Sequence, residues 1–298
     1  MLIEKTQDTY GCPVSFSFFN CFLLSFQEKT SCYKHFKAQN NPEGVLMKIL
    51  KIISLAICFS LVFATVSHAE DGCCWYIVKH GNDTPSFPEN CDEVRELGGV
   101  YIGDTECASG EKKLYLTFDA GYENGNIEKI LDVMRDEGVT GAFFILSNLI
   151  KKNPDLVKRM ADEGHLVCNH TSNHKDMTKL TDGEILANLS RLEEQYKTAT
   201  GYEMEKIFRF PEGKYSIRTM KLLCENGYKT VFWSMAYDDW DNSRQMDVEL
   251  AKSKLISTTH DGAIILLHPT SATNAAILSD MIKEWRAMGY TFGSLKDI

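Results

Sequence analysis

The chain has 298 residues, of which 44% are hydrophobic and 24% are charged. This is the composition of a globular protein, with enough residues for one large core or two small ones. The formal net charge of −9 and the lack of a lysine and arginine cluster argue against nucleic-acid binding.

Residues 47–69 have the pattern of a signal peptide. A basic start at Lys48 and Lys51 is followed by an apolar run and then by small residues ahead of Glu70. A retained membrane anchor is the alternative, although the run is shorter than the roughly 20 residues of a spanning helix. We therefore expect an exported protein, and we interpret residues 1–46 as an untranslated or disordered extension, with translation starting at Met47.

Residues 70–111 are predicted to form an irregular lead-in that wraps the domain, because Pro85, Pro88 and several glycines interrupt any regular pattern. Cys168 and Cys224 have the surroundings of buried, small apolar residues. The remaining cysteines after residue 70 are suited to disulfides outside the cell, without any derivable pairing: Cys73, Cys74, Cys91 and Cys107.

Strand and helix signals alternate through residues 112–298. The helices have clear start signals, such as Pro154 and the capping box of Thr181 and Glu184. Strands that alternate with helices at this spacing predict an α/β fold with a mostly parallel sheet, and a small barrel rather than two domains. The predicted strands are Leu114 to Phe118, Gly141 to Ile145, Leu166 to Asn169, Ile207 to Phe210, Thr230 to Ser234, Ile264 to Leu267 and Tyr290 to Leu295.

Asp119 stands where the first of these strands ends. In parallel α/β folds, reactive side chains collect at the carboxyl ends of the strands, where the loops surround a cavity. Asp119 is therefore the first candidate for chemistry. The alternative is that its carboxylate only caps the helix that begins near Ile127.

His170 and His174 follow the third strand, four residues apart. On a helical turn this spacing puts both rings on one side, as a shared metal ion requires. An isolated pair of this kind is more often a pair of surface or capping histidines.

Further polar residues follow the later strands. Arg209 lies within an apolar run, and a buried guanidinium needs a carboxylate partner such as Asp119, unless the strand is an exposed edge strand. Asp239 and Trp240 follow the next strand, and His268 directly follows four aliphatic residues. Each has an ordinary structural explanation, but five such strand ends together predict an active site.

The motifs TFDAG, HTSNH, RFPEG, DDW and LLH, in this order, resemble those of the polysaccharide deacetylases, carbohydrate esterase family 4. The resemblance covers about residues 112–298, which would be the catalytic domain, and it implies a distorted (β/α)7 barrel. The segments TFDAGYENGN, FWSMAYDDW and GYTFGSL are most similar to the delta-lactam-biosynthetic, or muramic-acid, de-N-acetylases of spore-forming Firmicutes.

The resemblance also implies a role for each site residue. Asp119 would be the general base, kept ionised by Arg209, and His268, oriented by Asp239, would be the general acid. The metal ligands would be His170 and His174, which would hold a divalent ion, zinc or another. The substrate would be bound by Trp240, Leu266, Glu212, whose backbone N–H would face the oxyanion, and Tyr122.

Two positions depart from the family pattern, Ala120 and Ala236. The usual third metal ligand is replaced by Ala120, so a metal ion should bind more weakly. Either another oxygen ligand such as Glu123 joins, or occupancy depends on the substrate, or the metal is dispensable. Glu212 would disfavour an anionic substrate unless Lys214 offsets its charge. In FWSMAYDDW, Ala236 stands where many relatives carry an acid, so Asp239 is the expected functional acid and Asp238 is expected to face solvent.

The expected activity is hydrolytic deacetylation of cell-wall glycan, with N-acetylmuramic acid of peptidoglycan as the preferred substrate. By the same resemblance, the product would feed muramic-lactam formation in the spore cortex, on the cell-wall or forespore-envelope side of the membrane. The alternatives are deacetylation of N-acetylglucosamine or chitin oligomers, xylan O-deacetylation, and catalytically silent glycan binding. No protein partner is expected.

Overall fold

A computed structural model describes residues 72–103, 105 and 110–298, which lie within one compact unit. The predicted extension and signal peptide, residues 1–69, are outside the described residues. Among the residues that the structure describes, no helix is both long enough and apolar enough to cross a bilayer.

The described chain alternates strands and helices. The strands are β1 (Cys73–Cys74), β2 (Val78–His80), β3 (Asp83–Ser86), β4 (Gly99–Val100), β5 (Lys112–Ala120), β6 (Ala142–Ile145), β7 (Leu166–Asn169), β8 (Glu205–Phe208), β9 (Lys214–Tyr215), β10 (Lys229–Val231), β11 (Met235–Ala236), β12 (Ala263–Leu267) and β13 (Tyr290–Phe292). The helices are α1 (Cys91–Glu96), α2 (Ile127–Asp136), α3 (Ser147–Lys152), α4 (Pro154–Asp162), α5 (Asp182–Thr200), α6 (Ile217–Glu225), α7 (Val248–Ser257) and α8 (Ala272–Ala287). All seven predicted strands are present.

The main sheet has nine strands, and each of its pairings between strands is parallel. The strand order is β11-β12-β5-β6-β7-β8-β10-β4, with β13 also paired to β5. Just beyond β4, Ile102 forms an isolated bridge to Ala263 of β12, which links the two sides of the curled sheet. The sheet is thus the distorted barrel expected from the sequence.

Strand β5 shows how the barrel separates its two faces. Leu114, Leu116 and Phe118 pack in the cluster that includes the helices, whereas Tyr115 packs in a cluster with residues from β6, β7, β8, β10 and β12. Because side chains alternate along a strand, Asp119 shares the inner face with Tyr115. The pleat therefore directs the Asp119 carboxylate towards the barrel mouth.

The lead-in is more regular than its prolines and glycines suggest. It contains four short strands and helix α1, and β4 pairs with β10 at the edge of the main sheet. Cys74 and Cys91 are free thiols, the Asn90 side-chain amide donates to Cys73 Sγ at 3.9 Å, and Cys107 is outside the described residues. Cys168 is buried as predicted, but the prediction for Cys224 was wrong, because it lies exposed on α6.

Candidate active site

Asp119, at the end of β5, is held by two groups that directly follow strands β8 and β7. Its Oδ1 accepts a hydrogen bond from the Arg209 guanidinium at 2.8 Å, and its Oδ2 lies 3.5 Å from Nε2 of His170. Burial raises the pKa of Asp119, but the charges of Arg209 and His268 and the Arg209 hydrogen bond together bring it below its usual value. The Asp119 carboxylate is therefore ionised at neutral pH, as a general base must be.

Asp119 does not cap helix α2, so the capping alternative was wrong. Glu123 does so instead, because its carboxylate accepts hydrogen bonds from the backbone N–H groups of Gly125 and of Ile127, the latter at 3.0 Å. Unpaired N–H groups at a helix start attract a carboxylate. The Glu123 carboxylate thus faces the start of α2, and Glu123 is not among the residues that line the catalytic cavity, so the suggestion that it supplies a metal ligand is not supported.

Arg209 is fully buried and directly follows β8. Besides Asp119, its guanidinium donates to Thr117 Oγ1 at 2.9 Å and to the carbonyl oxygens of Val231 and Phe232, both at 3.1 Å. The edge-strand alternative is thereby excluded, and the predicted pairing with Asp119 is confirmed. Thr117 was not foreseen, because a threonine within an apolar strand has no distinguishing pattern.

His170 and His174 lie together, with ring centroids 5.1 Å apart. They do not lie on a helical turn as expected, because the loop turns through positive φ angles at Thr171 (74°) and His174 (56°). Such strained non-glycine conformations are concentrated at functional sites. The pairing of the two rings is thus confirmed, although by a different backbone geometry.

His170 has the environment of a metal ligand. Its Nδ1 lies 2.9 Å from the Arg209 carbonyl oxygen, to which only a protonated Nδ1 can donate, so Nε2 keeps its lone pair. Burial lowers the pKa of His170 to about 4, so the ring is neutral. Ala120 is buried in the hydrophobic core, and within the described part of the chain no group of three or more histidine, cysteine or acidic side chains could hold a metal ion. The two imidazoles of His170 and His174 are therefore the available donors, and imidazole nitrogen suits a divalent transition metal ion.

His268 and Asp239 form the second half of the site. Nδ1 of His268 donates to Asp239 Oδ1 at 2.8 Å, while the His268 backbone N–H and the Asn274 side chain donate to Asp239 Oδ2 at 2.7 and 2.6 Å. Burial lowers the pKa of His268, but the Asp239 hydrogen bond and the Asp239 and Asp119 charges raise it more, so that it is above its usual value. Nε2 is left as the proton donor. Asn274 was missed because it lies within the first turn of α8 and fits a helix start.

A cavity of about 600 Å³ joins these groups. Six of the predicted residues line it: Asp119, His174, Glu212, Trp240, Leu266 and His268. Gly213, Trp233, Ala236 and Tyr237 complete the lining. Three further predicted residues are buried behind this lining: Arg209, His170 and Asp239. Tyr122 is not part of this lining. It is 46% exposed, and its hydroxyl accepts a hydrogen bond from Asn242.

The charges at the cavity rim follow the sequence expectation. Lys214 Nζ lies 2.5 Å from Glu212 Oε2, so the lysine does offset the acid. Glu212 itself has a φ of 56°. Asp238 is exposed, as expected, while its neighbour Asp239 is buried.

The comparisons with known proteins agree with this geometry. A family model described as polysaccharide deacetylase matches residues 107–231. Peptidoglycan-N-acetylmuramic acid deacetylase PdaA of Bacillus subtilis (strain 168) is 40% identical over 205 residues, which are 69% of this chain and 76% of PdaA. The solved structure of B. subtilis PdaA, described as a family 4 carbohydrate esterase, superposes with a TM-score of 0.73 at 36% identity, over 76% of this chain and 97% of that chain.

A more distant relative is the peptidoglycan-N-acetylglucosamine deacetylase PgdA of Listeria monocytogenes serotype 1/2a. It is 28% identical over 199 residues, which are 67% of this chain and 41% of PgdA. The level of identity to PdaA, its coverage and the shared fold lead to one conclusion. The chain belongs to the polysaccharide deacetylase family, the family 4 carbohydrate esterases.

Proposed function

We propose that this protein hydrolyses the acetamido group of N-acetylmuramic acid in peptidoglycan and releases acetate. The observation that carries the proposal is the placement of the ionised Asp119 carboxylate and the His268 imidazole on one cavity. Amide hydrolysis needs a base for the attacking water and an acid for the departing amine. The preference for the muramic sugar is taken from the similarity to PdaA.

Asp119 removes the proton from the attacking water, and Arg209 keeps its carboxylate ionised and in place. His268 then gives a proton from Nε2 to the leaving nitrogen, while Asp239 holds the ring by Nδ1. Trp240 and Leu266 form an apolar part of the lining that suits the acetyl methyl group.

His170 and His174 would hold a divalent metal ion. When bound there, such an ion supplies positive charge to the acetamido carbonyl oxygen and makes a bound water more acidic. Neutral His170, oriented by the Arg209 carbonyl, meets the usual requirements of a ligand. The backbone N–H of Glu212 is proposed as a further donor to the oxyanion.

An exported location, with the product entering muramic-lactam formation in a spore former, completes the proposal. Export is supported by the signal-like residues 47–69. N-acetylglucosamine is the second candidate substrate, which the similarity to PgdA favours.

The test is acetate release from three substrates: peptide-free glycan strands, strands with their stem peptides, and chitin oligomers. We expect the native protein to release acetate faster from the peptidoglycan strands, with or without stem peptides, than from chitin oligomers. Asp119→Asn should lower the rate of acetate release by at least about a hundredfold. Asp136→Asn, which changes an exposed acid paired with Arg135, is the matched control. Absence of acetate from every substrate would instead favour a glycan-binding protein.

The same assay tests the metal. Incubation with a chelator followed by dialysis should lower the rate of acetate release, and adding back a divalent ion should restore it. An unchanged rate after the metal content has been shown to be negligible would contradict a role for His170 and His174 as required metal ligands.

A further inference from the structure

The side-chain amide of Asn274, in the first turn of α8, is held in one orientation. Its Nδ2 donates to Asp239 Oδ2 at 2.6 Å and to the His268 carbonyl oxygen at 3.0 Å. A carboxylate and a carbonyl oxygen only accept hydrogen bonds, so a flipped amide would place its own oxygen against both of them. Nδ2 of Asn274 therefore faces Asp239 and His268, and Oδ1 faces the other way.

Tyr237 supplies the donor that this oxygen needs. The Tyr237 hydroxyl donates to Asn274 Oδ1, and in the part of the chain that the structure describes no other donor reaches that oxygen. Burial, and then the charge of Asp239, raise the pKa of Tyr237 above its usual value. The hydroxyl therefore keeps its proton and remains a donor at neutral pH.

These bonds connect the wall of the catalytic cavity to the general acid. Tyr237 directly follows β11 and lines the cavity. Its hydroxyl bonds Asn274, Asn274 bonds Asp239, and Asp239 bonds the ring of His268. Tyr237, Asn274 and Asp239 are all buried, so water cannot readily replace a missing partner in this series.

Asn274 constrains the general acid at two points. It holds the carboxylate that orients the imidazole, and it also holds the backbone carbonyl of the residue that carries the imidazole. The position of the His268 ring relative to Asp239 is thereby fixed from the side chain and from the main chain. A displacement of about 1 Å at a reacting group can lower a rate by about a hundredfold.

We infer that Tyr237 and Asn274 are positioning residues for the deacetylation, which hold the His268 imidazole towards the leaving nitrogen through Asp239. This inference rests on the proposed deacetylase function. It gives the Tyr237 hydroxyl a role in the turnover step, since the hydroxyl is bonded to Asn274 and not to the substrate.

The experiment measures kcat and KM for acetate release from peptidoglycan strands by the native protein, Tyr237→Phe, Asn274→Ala and the double variant. Tyr237→Phe removes one hydroxyl and keeps the ring. We expect it to lower kcat about tenfold, as for one buried hydrogen bond, and to leave KM unchanged. Asn274→Ala should lower kcat by at least about thirtyfold. In the double variant the loss of the hydroxyl should cause no further decrease, because it acts through Asn274.

Tyr202→Phe is the matched control, because the exposed Tyr202 also donates its hydroxyl to a side chain, Asp162, at 2.8 Å. It should leave kcat and KM unchanged. Urea denaturation shows whether each variant is folded. If Asn274→Ala is not, the change of kcat against KM in Tyr237→Phe decides alone.

Two results would overturn the inference. The first is a native kcat in Tyr237→Phe, with or without a raised KM, since a raised KM alone would mean that the hydroxyl binds the substrate. The second is a double variant in which the two losses multiply, since Tyr237 would then act independently of Asn274. If the native protein released no acetate at all, the proposed function would fail first.

Discussion

Asp239 organises the acid half of the site through three hydrogen bonds at its two oxygens. The His268 ring and backbone and the Asn274 amide all donate to it. These bonds fix which nitrogen of the imidazole carries the proton towards Asp239 and leave Nε2 for the substrate. Asp239 is only 1% exposed, so each bond is made with little competition from water.

Replacing Asp239 should change both the rate and its pH dependence. A general acid must be protonated, so the raised pKa of His268 keeps the enzyme active to higher pH, and activity falls as the pH rises through that pKa. In Asp239→Asn the main cause of the raised pKa is removed. We expect kcat/KM to fall by about a hundredfold or more and the alkaline limb to move to lower pH.

The measurement is the pH profile of kcat/KM for acetate release. Asp238→Asn is the matched control in the same motif. Asp238 is exposed, and among the described residues it forms no hydrogen bond with His268. It should leave the alkaline limb in place. An unshifted limb in Asp239→Asn would argue against His268 as the acid.

The residues that could be predicted from the sequence are those that break a strong local pattern. Asp119 and His268 each end an apolar strand, and Arg209 interrupts one. Thr117 and Asn274 do not break the pattern of their elements, so their hydrogen bonds to Arg209 and Asp239 could be found only in three dimensions.

At the scale of elements, Arg209 joins three strands of the barrel. It follows β8, contacts Thr117 and Asp119 of β5, and donates to the carbonyl of Val231 in β10. Its guanidinium also lies 4.1 Å from the centroid of the Phe144 ring of β6. The same side chain therefore both holds the base and fixes the spacing of the strands beneath it.

Arg209→Lys should destabilise the fold although it keeps the charge. A lysine cannot reach all four acceptors, and each buried acceptor left unpaired costs about 1–3 kcal/mol. We expect the free energy of unfolding to fall by about 3 kcal/mol, measured by urea denaturation at an unchanged slope.

Arg135→Lys is the control for this substitution, because Arg135 is half exposed and makes only surface ion pairs with Asp132 and Asp136. Arg135→Lys should change the free energy of unfolding by no more than about 0.5 kcal/mol. Equal effects of the two substitutions would show that the buried hydrogen bonds of Arg209 contribute no more to stability than a surface ion pair.

Element types followed from periodicity, but local geometry did not. The seven main strands and the capping box of α5 were predicted because apolar spacing and cap residues are local signals. The loop that carries His170 and His174 was wrongly given a helical turn, because the four-residue spacing does not reveal the positive φ angles of Thr171 and His174. Those angles depend on hydrogen bonds such as that from His174 N–H to Thr171 Oγ1.

At the scale of the molecule, the sequence did not reveal how the barrel is completed. Strand β4 has only two residues, and the bridge from Ile102 to Ala263 joins segments more than 150 residues apart, so neither has a local signal. The net charge of −9 would repel an anionic glycan at long range.

The stability of the whole molecule should depend on pH through buried histidines that are neutral when folded. His165, at 6% exposure, accepts a hydrogen bond from the Gly141 N–H at Nδ1, and burial lowers its pKa to about 4. In the unfolded chain its pKa is about 6.5, so between these values the unfolded state binds more protons. Stability is therefore complete above about pH 6.5 and is lost as the pH falls towards 4, by up to roughly 3 kcal/mol.

His165→Gln tests this dependence, since a glutamine oxygen can accept the Gly141 hydrogen bond without titrating. The free energy of unfolding, measured in urea at pH 7 and pH 5, should decrease less in this variant than in the native protein. His80→Gln, which changes an exposed histidine bonded to Ser86, should behave as the native protein does. A native-like decrease in His165→Gln would show that other groups, such as His170 with its similarly lowered pKa, account for the acid sensitivity of the fold.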